Sequence, residues 1–423
     1  MKLYDELEAR GFVDKVTSEE LIEKLNAGGL KFYIGYDPTA DSLHIGHLAS
    51  FNLMKIFQNH GHHPIALMGG GTGMIGDPGG KNAERNLLSK EQIQSNINGV
   101  KKQMSQFLNF ETENKAIMVN NLDWLRKWSY IDFLRDIGKN FSVNMMMTRD
   151  SVKSRLTREG EGISYTEFSY MILQSYDFYE LSKLHDCQLQ LGGSDQWGNI
   201  VSGIDLTRRL SGKQVYGMTF PLITKSDGTK FGKSEGGAIW LDAEKTSPYE
   251  FYQYFVRQAD EDIIRYLKVF TQLTMEEIAE LEAQVKNEPY KRAAQKKLAE
   301  EVTRTVHGQD TLDKVLKASQ VLFGAAIEDL DDSTIANIFK DVPSTLQDKK
   351  VLESGWNLID ALVETKACKS KGQARKLVQS GGVYVNNNQQ KDTELQLTHE
   401  SMASESYLIL RTGKKNYYLV QFK

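Results

Sequence analysis

Near the amino terminus the apolar positions change spacing twice, and each change marks the boundary of a predicted element. LKFYIGYD (30–37) is a short apolar run of strand length, whereas residues 38–61 carry apolar side chains at helical spacing up to Gly61. HPIALM (63–68) is a second short apolar run, and a glycine-rich loop follows it. Strand, helix and strand in this order predict a βαβ unit.

The same order returns between residues 186 and 210, where a short strand pattern, a glycine-containing turn and a helical pattern follow one another. We therefore predict an α/β fold class with a doubly wound, Rossmann-like parallel sheet. In such a sheet the ligands bind at the carboxyl ends of the strands.

Beyond the sheet domain the pattern changes to that of capped amphipathic helices, which run from residue 247 to about residue 320. Residues 325–350 are acidic and then contain a proline, which is typical of a connection with a little helix of its own. A helix, a glycine turn, a strand and a closing hairpin follow. We expect a sheet domain, then an α-helical domain and a small α+β domain.

Composition narrows the class of protein. The 423 residues suit two or three domains, and 40% apolar and 26% charged residues with a mean hydropathy of −0.46 are typical of soluble globular proteins. The amino terminus is charged, and no apolar run approaches the roughly 18 residues of a membrane span, so we expect a cytoplasmic protein without a membrane partner. The two cysteines lie far apart, which argues against a disulfide framework or a cysteine zinc site. At a net charge of −4, a polyanion would have to bind local basic patches.

The first candidate site is the histidine pair of SLHIGHLAS (42–50). His44 and His47 are three residues apart at a predicted helix amino end, where free N–H groups and the helix dipole favour an anion. Gly46 leaves room for a nucleotide to approach the backbone. Two polar surface histidines would give the same pattern, whereas a metal site would need a third ligand nearby.

A second candidate is the glycine-rich stretch DGTKFGKSEGG (227–237), which follows the predicted strand TFPLIT and carries Lys230 and Lys233. A cationic loop of this kind can close over a triphosphate and neutralise charge on leaving pyrophosphate. A solvated hairpin tip is the alternative.

GTGMIG (71–76) satisfies the G-x-G-x-x-G pattern of dinucleotide-binding proteins, but we reject that interpretation. No buried apolar helix follows it, and no acidic residue stands at the ribose-binding distance. We instead expect the glycines to let the backbone pass close to a ligand, with Asp77 directed at a cationic group such as an amine. A turn capped by Asp77 is the alternative.

The predicted helix 164–185 carries a polar stripe, Tyr170, Gln174 and Asp177, flanked by apolar residues. Such a stripe is expected to line a pocket rather than a solvated face. Gln190 on the next strand, and Asp195 with Gln196 in its loop, add polar groups at a strand carboxyl end.

Together these motifs resemble those of the class I aminoacyl-tRNA synthetases. HIGH (44–47) and KFGKS (230–234) are similar to the two signatures of that family, the second usually written KMSKS. YIGYDPTADSLHIGH, GDPGGK, SYMILQSYDF and LGGSDQWGN resemble the bacterial tyrosyl branch, and the resemblance covers essentially the whole chain. It implies a tyrosine–tRNA ligase that uses ATP, L-tyrosine and tRNA(Tyr), with Mg²⁺ accompanying ATP and no dedicated protein metal site. It also implies a homodimer, for which residues 125–147 could supply the contact, and no DNA partner.

The resemblance also implies roles for individual residues. The phosphates of ATP would be contacted by Thr39, His44, His47, Lys230, Lys233 and Ser234, with Lys81 and Arg85 nearby. The ribose and adenylate would be bound by Gly35, Asp37, Gly192 and Asp195, with Gly46 beside the nucleotide. The tyrosine ammonium would be bound by Asp77, Tyr170 and Gln174, and its hydroxyl by Tyr33 and Asp177, with Gln190 and Gln196 beside the substrate.

Basic residues indicate where RNA would bind. No acidic residue occurs between Thr365 and Lys391, and the cations there cluster around a predicted helix start: Lys366, Lys369, Lys371, Arg375 and Lys376. A second set is a candidate for the tRNA acceptor stem: Arg149, Lys153, Arg155, Arg158, Arg208 and Arg209. A solvated charged face is the simpler interpretation of each set alone.

The resulting domain prediction has five parts: a catalytic domain (1–225), a mobile KFGKS loop with linker (226–246), an α-helical anticodon-side domain (247–325), a linker (326–350) and a small RNA-binding domain (351–423). Three alternatives stay open at this point. They are an RNA-binding protein without catalysis, a nucleotidyltransferase that acts without RNA, and a tryptophanyl synthetase, which would not need Asp177.

Overall fold

The structure is a computed structural model that describes residues 1–78, 88–149, 152–153, 156, 162–226, 228, 231–234, 237–321, 325, 327, 330–340, 342–413 and 416–423, with the backbone alone at 233–234. These residues form two compact units. The first comprises Met1–Asp242 with Gln258–Leu298, and the second comprises Ala243–Arg257 with Ala299–Lys423.

The first unit is built on a six-stranded sheet with the strand order β1-β6-β5-β2-β3-β4. All neighbouring strands are parallel except β1, which is antiparallel to β6. The strands are β1 (Lys15–Val16), β2 (Lys31–Tyr36), β3 (His63–Met68), β4 (Ile117–Asn120), β5 (Leu189–Gly193) and β6 (Tyr216–Phe220). This is the predicted α/β sheet, and its central strands β2 and β3 are largely buried, as is typical of a parallel sheet.

The helices, in chain order, are α1 (Leu3–Arg10), α2 (Glu20–Ala27), α3 (Leu48–Asn59), α4 (Lys90–Met104), α5 (Leu122–Leu125), α6 (Tyr130–Asp136), α7 (Val143–Met147), α8 (Tyr165–His185), α9 (Trp197–Ser211), α10 (Pro248–Val256), α11 (Asp260–Phe270), α12 (Met275–Asn287), α13 (Ala293–His307), α14 (Gln309–Val321), α15 (Asp332–Ile338), α16 (Lys350–Glu353), α17 (Leu358–Glu364) and α18 (Lys371–Gln379). In the described part of the chain, none is both long and apolar enough to cross a membrane.

Strand order reverses direction between β2 and β5. From β2 the chain continues to β3 and β4 on one side, whereas β5 and β6 extend the sheet on the other. The loops that leave the carboxyl ends of β2 and β5 therefore separate and open a crevice between them. The polar residues predicted from the sequence as ligands follow these two strands.

Two element boundaries differ from the sequence-based expectation. The helix expected at 38–61 begins only at Leu48, because residues 45–47 form a single 3₁₀ turn with His44 extended before it. The strand expected at TFPLIT is β6, which ends at Phe220. The short edge strand β1 pairs at only two positions and carries no clear apolar pattern.

The second unit holds a five-stranded sheet of order β12-β11-β14-β15-β9. Its strands are β9 (Ser344–Gln347), β11 (Val383–Val385), β12 (Asn388–Gln390), β14 (Tyr407–Thr412) and β15 (Asn416–Phe422), while β10 (Trp356–Asn357) pairs with β13 (Gln396–Leu397). Val383, Leu408 and Val420 are fully buried in one core with α17 and α18. This is the helix, strand and hairpin arrangement expected for the carboxyl-terminal module.

The compact units divide the chain differently from the predicted domains. Gln258–Leu298 lies in the first unit, although it was expected in a separate helical domain, and the expected linker 326–350 contains α15 and β9. β9 pairs with β15 in parallel, so this stretch is part of the terminal sheet. The predicted domain boundaries stay a prediction.

Candidate active site

The crevice at the strand reversal holds a cavity of about 450 Å³. Its lining combines groups from β2, β5, α8 and the histidine turn. The lining residues discussed below are Tyr33, Gly35, Tyr36, Asp37, Thr39, His44, Gly46, His47, Ser50, Thr72, Asp77, Asn121, Tyr170, Gln174, Asp177, Gln190, Gly192, Asp195 and Gln196.

Three buried polar side chains lie together at this cavity. Tyr33 and Asp177 are each 1% exposed and Gln190 is 3% exposed. Within the described part of the chain, the hydroxyl of Tyr33 and Oε1 of Gln190 have no hydrogen-bond partner. A buried polar group without a partner costs roughly 1–3 kcal/mol, so this arrangement is that of a site built for a polar ligand.

Asp177 is held by two donors. Trp124 donates from Nε1 to Oδ1 over 2.8 Å, and Asn121 donates from Nδ2 to Oδ2 over 2.9 Å. Burial is the main cause that raises the pKa of Asp177, to about 8, because it outweighs the two hydrogen bonds, which lower the pKa; the Asp37 carboxylate adds a smaller increase. Burial, with the nearby Asp177 charge, also raises the pKa of the Tyr33 hydroxyl well above its usual value. The carboxyl group is thus oriented but costly to ionise.

A chain of hydrogen bonds connects Asp177 to the other side of the cavity. The Asn121 amide nitrogen also lies 2.9 Å from Thr72 Oγ1, and Thr72 donates to Asp37 Oδ1 over 2.7 Å. Tyr170 donates to the second oxygen of Asp37 over 2.9 Å. One network therefore fixes groups that come from β2, β4 and α8.

A second network surrounds Asp77. Gln196 donates from Nε2 to Asp77 Oδ2 over 2.7 Å, and its Oε1 accepts from Gln174 over 3.2 Å. Asn199 donates to Oε1 of Gln174 and of Gln196 over 2.9 and 3.1 Å. The loop after β5 and the middle of α8 are in this way joined at one wall of the cavity.

The two histidines pack against each other with ring centroids 4.1 Å apart. The Gly46 amide donates to Nδ1 of His44 over 3.1 Å, and the His44 amide lies 3.2 Å from Nδ1 of His47. Burial, with the neighbouring His44 ring, lowers the pKa of His47 to about 3, so His47 is neutral at ordinary pH. Nδ1 of His47 lies 3.2 Å from the His44 carbonyl as well, so it accepts from the amide or donates to the carbonyl according to which ring nitrogen carries the proton.

The backbone of the KFGKS segment reaches this histidine turn. The carbonyl of Gly232 accepts from Ile239, and the carbonyl of Ile239 accepts from Ile45 over 3.0 Å. A Cβ at Gly232 would lie 3.1 Å from the Ile45 side chain and 3.6 Å from the Gly46 nitrogen. Trp240 forms a backbone bridge with His44. The two signature segments, far apart in sequence, are neighbours.

Comparison with known proteins identifies the family. The family model described as tRNA synthetases class I (W and Y) matches residues 25–324, and that of the Tyrosine–tRNA ligase SYY-like C-terminal domain matches residues 334–420. A tyrosine–tRNA ligase of Rhodopirellula baltica is 50% identical over 423 residues, covering 100% of this chain and 96% of that protein. The chain belongs to the tyrosine–tRNA ligase family of class I tRNA synthetases.

Two further relatives support this family assignment. A tyrosine–tRNA ligase of Staphylococcus saprophyticus is 49% identical over 423 residues, covering 100% of this chain and 99% of that protein. A solved structure of a C-terminally truncated mitochondrial tyrosyl-tRNA synthetase from Aspergillus nidulans has 32% identity and a TM-score of 0.69, over 76% of this chain and 94% of that chain. The family resemblance inferred from the sequence is confirmed.

The structure places most residues that were predicted from the family signatures on one cavity. The described active-site residues from Tyr33 to Gln196 all line it. Lys81, Arg85 and Lys230 lie outside the described residues, and Lys233 and Ser234 are described by their backbone alone.

Four polar residues of this cavity were not predicted from the sequence, namely Tyr36, Ser50, Thr72 and Asn121. Tyr36 donates to Ser50 over 3.1 Å beside the histidine turn. Asn121 directly follows β4, and an amide at a strand carboxyl end is the signal that could have identified it.

The predicted RNA-binding residues lie at the surface. Lys366, Lys369, Lys371, Arg375 and Lys376 are exposed around the start of α18, although Lys371 pairs with Asp360 at 2.6 Å. Of the second set, Arg208 and Arg209 both pair with Asp205, Arg149 is half-buried and Lys153 is exposed. Arg155 and Arg158 lie outside the described residues.

Proposed function

We propose that the chain activates L-tyrosine with ATP to form tyrosyl-adenylate and pyrophosphate, and then transfers tyrosine to the terminal adenosine of tRNA(Tyr). The chain charges tRNA with tyrosine, as its family membership and its whole-length relatives establish. The proposal adds which side chains perform each step. The observation that carries it is the pair of buried, unpartnered oxygens of Tyr33 and Gln190 in the same cavity as the two histidines.

Tyrosine recognition would use both hydrogen-bond networks. The substrate hydroxyl would donate to Asp177 and accept from Tyr33, which supplies the partner that the Tyr33 hydroxyl lacks among the described residues. The ammonium group would meet Asp77, Tyr170 and Gln174, where a carboxylate and two polar groups lie on one wall. A substrate that lacks the hydroxyl would leave Tyr33 and Asp177 buried without partners.

ATP would bind across the histidine turn and the loop after β5. His44, whose Nδ1 accepts from the Gly46 amide, would direct its Nε2–H group at a phosphate oxygen, with the His47 ring packed beside it. Gly35, Asp37, Gly46, Gly192 and Asp195 would bind the ribose and adenylate. Thr39 and the cations of KFGKS, together with Lys81, Arg85 and Ser234, would contact the phosphates.

Activation requires only positioning and charge stabilisation. The tyrosine carboxylate attacks the α-phosphorus, a carboxylate oxygen–phosphorus bond forms, and the bond to pyrophosphate breaks with the electron pair leaving on pyrophosphate. Protein donors that meet the developing negative charge lower the barrier. No protein nucleophile takes part, which agrees with the hydrogen-bond donors and carboxylates that dominate the lining.

Mg²⁺ would enter with ATP. Among the residues that the structure describes, no group of three or more His, Cys, Asp or Glu side chains is arranged to hold a metal ion. Phosphate oxygens and water, which Mg²⁺ prefers, would be its main ligands.

We further propose a homodimer that works in the cytoplasm with the tRNA pool. Large apolar side chains are exposed near the expected contact, namely Tyr130, Ile131, Val143, Met145, Met147 and Tyr165, at 45–68%. Single exposed apolar residues are normal, but a cluster of this kind is typical of an association surface. Sedimentation equilibrium tests the dimer, and a monomer at micromolar concentration would refute it.

The decisive experiment is pyrophosphate exchange into ATP with each of the twenty amino acids, followed by charging of purified tRNA. We expect exchange with tyrosine, very little with phenylalanine or tryptophan, and charging of tRNA(Tyr) only. Exchange with tryptophan would favour the other branch of the family, and exchange without charging would favour a nucleotidyltransferase that acts without RNA.

A further inference from the structure

Phe231, the second residue of KFGKS, is anchored on α11. Its side chain is 7% exposed, and its ring stacks on Phe270 with centroids 4.9 Å apart and planes 19° apart. The same ring meets Tyr266 at 4.7 Å in a tilted arrangement. An aromatic pair contributes about 0.5–1.5 kcal/mol beyond its buried area, so this contact fixes the segment firmly.

The residue after this anchor, Gly232, lies against the histidine turn. Gly232 adopts φ +93°, which an L side chain rarely adopts, and a Cβ there would crowd Ile45. Two consecutive residues therefore contact two different elements: Phe231 packs on α11, and Gly232 packs on the turn that carries Gly46.

α11 is itself joined to the helix that begins directly after the histidines. Asn52 of α3 donates from Nδ2 to the carbonyls of Val269 and Thr271 over 2.8 and 3.1 Å. Asp262 accepts from the Ser226 amide over 3.0 Å, and Arg265 donates to the Thr224 carbonyl. The segment before KFGKS, the anchor of Phe231 and the histidine helix thus share one support.

We propose that Phe231 is a positioning residue for tyrosine activation. Its ring, held by Tyr266 and Phe270, fixes the backbone of Phe231 and Gly232 beside Gly46, so that Lys233, the next residue, meets the same triphosphate as His44 and His47. This inference rests on the proposed function. Preorganised donors act because they need no rearrangement during the reaction, and a displacement of about 1 Å can cost roughly 10²-fold in rate.

The test measures tyrosyl-adenylate formation in a single turnover, with tyrosine affinity measured separately by equilibrium dialysis. Phe231→Ala is expected to lower the activation rate by roughly 10–10²-fold, because the anchor is lost, while tyrosine affinity stays within about twofold. Phe231→Met keeps an adaptable apolar side chain that favours aromatic neighbours, so it should recover most of the rate. Gly232→Ala should reproduce the loss with Phe231 intact, since the added Cβ crowds Ile45.

Phe251→Ala is the matched control, because Phe251 is fully buried in the second unit. It should lower the thermal unfolding midpoint without changing the activation rate per folded enzyme. A Phe231→Ala enzyme that activates tyrosine at the wild-type rate overturns the inference and leaves the proposed function intact. A wild-type enzyme that fails to exchange pyrophosphate with tyrosine overturns the proposed function itself. A parallel loss of tyrosine affinity in Phe231→Ala would also overturn the positioning role, because it would indicate general damage to the site.

Discussion

The indole N–H of Trp124 donates to Oδ1 of Asp177 over 2.8 Å, from a ring that is only 6% exposed. The carboxyl group therefore has one oxygen held by an aromatic donor and the other by Asn121. Its orientation is fixed before any substrate arrives, which is the condition for a specificity determinant.

Replacing Asp177 by Asn should reduce discrimination between tyrosine and phenylalanine. The variant has one acceptor oxygen instead of two, and Trp124 and Asn121 both donate to this side chain, so the substrate hydroxyl loses its acceptor. Phenylalanine has no hydroxyl and should be affected little. Tyrosyl-tRNA synthetases are themselves the established example of this effect at roughly 10⁵-fold, a magnitude that we adopt. We expect kcat/KM for tyrosine to fall by about 10–10², as for a buried polar group that loses its hydrogen-bond partner. Pyrophosphate exchange with both amino acids measures the ratio, and unchanged discrimination would refute the role.

The same substitution should change the pH dependence of stability. The pKa of Asp177 is about 8 in the folded protein, above the ordinary value of 3.8. As pH rises the unfolded state therefore loses this proton first, and stability that is fully present below about pH 4 is lost as pH approaches 8. Asp177→Asn cannot ionise, so its unfolding free energy relative to wild type should be higher at pH 8 than at pH 5. Urea unfolding without tyrosine checks this, and a constant difference would contradict it.

His44→Ala should impair activation rather than tyrosine binding. Removing one donor to a transition state typically costs roughly 10²–10³ in rate. We expect this loss in pyrophosphate exchange, with the tyrosine dissociation constant changed little. The side chain of His44 accepts from Gly46, so His44→Asn, which can keep a local acceptor, is the companion variant. Normal activation kinetics in His44→Ala would contradict the role.

Charge reversal around the start of α18 should weaken tRNA binding alone. The double variant Lys369→Glu with Arg375→Glu removes two exposed cations, so KM for tRNA should rise. The slope of the logarithm of the binding constant against the logarithm of salt concentration should become shallower by about two, because two phosphate contacts are lost. Lys102→Glu with Lys115→Glu, two exposed lysines of the first unit, is the matched control. Pyrophosphate exchange should be unchanged in both. An equal effect of the two double variants would indicate net charge instead of a local surface.

Asn387 should stabilise the second unit by capping α14. Its side chain donates to the carbonyls of Val321 and Ala325, each over 2.8 Å, at φ +64°. Asn387→Gly keeps the backbone conformation but loses the cap, and Asn387→Ala adds strain at positive φ. We expect losses of about 1 kcal/mol for Gly and about 2 kcal/mol for Ala in urea unfolding. Equal stability of wild type and Asn387→Gly would refute the cap.

The sequence predicted the sheet and most of the cavity because those residues lie next to strong local signals. Tyr33 lies within the apolar run 30–37, and Asp177 lies on a polar stripe in a long helix. Asn121 and Thr72 touch the same network, but their partners are distant in sequence: Asn121 meets Asp177, and Thr72 meets Asp37. Periodicity contains no information about such pairs. Likewise the pairing of Lys371 with Asp360 depends on how α17 and α18 pack.

The unbroken hydrogen-bonded path from Trp124 through Asp177, Asn121 and Thr72 to Asp37 has a consequence for redesign of the enzyme toward unnatural amino acids. Enlarging the pocket at Asp177 alone would leave the Asn121 amide with one acceptor fewer and would loosen Thr72, which orients Asp37 at the opposite wall. A variant meant to accept a bulkier para-substituent should therefore exchange Asp177 and Asn121 as a pair, so that the far end keeps its geometry.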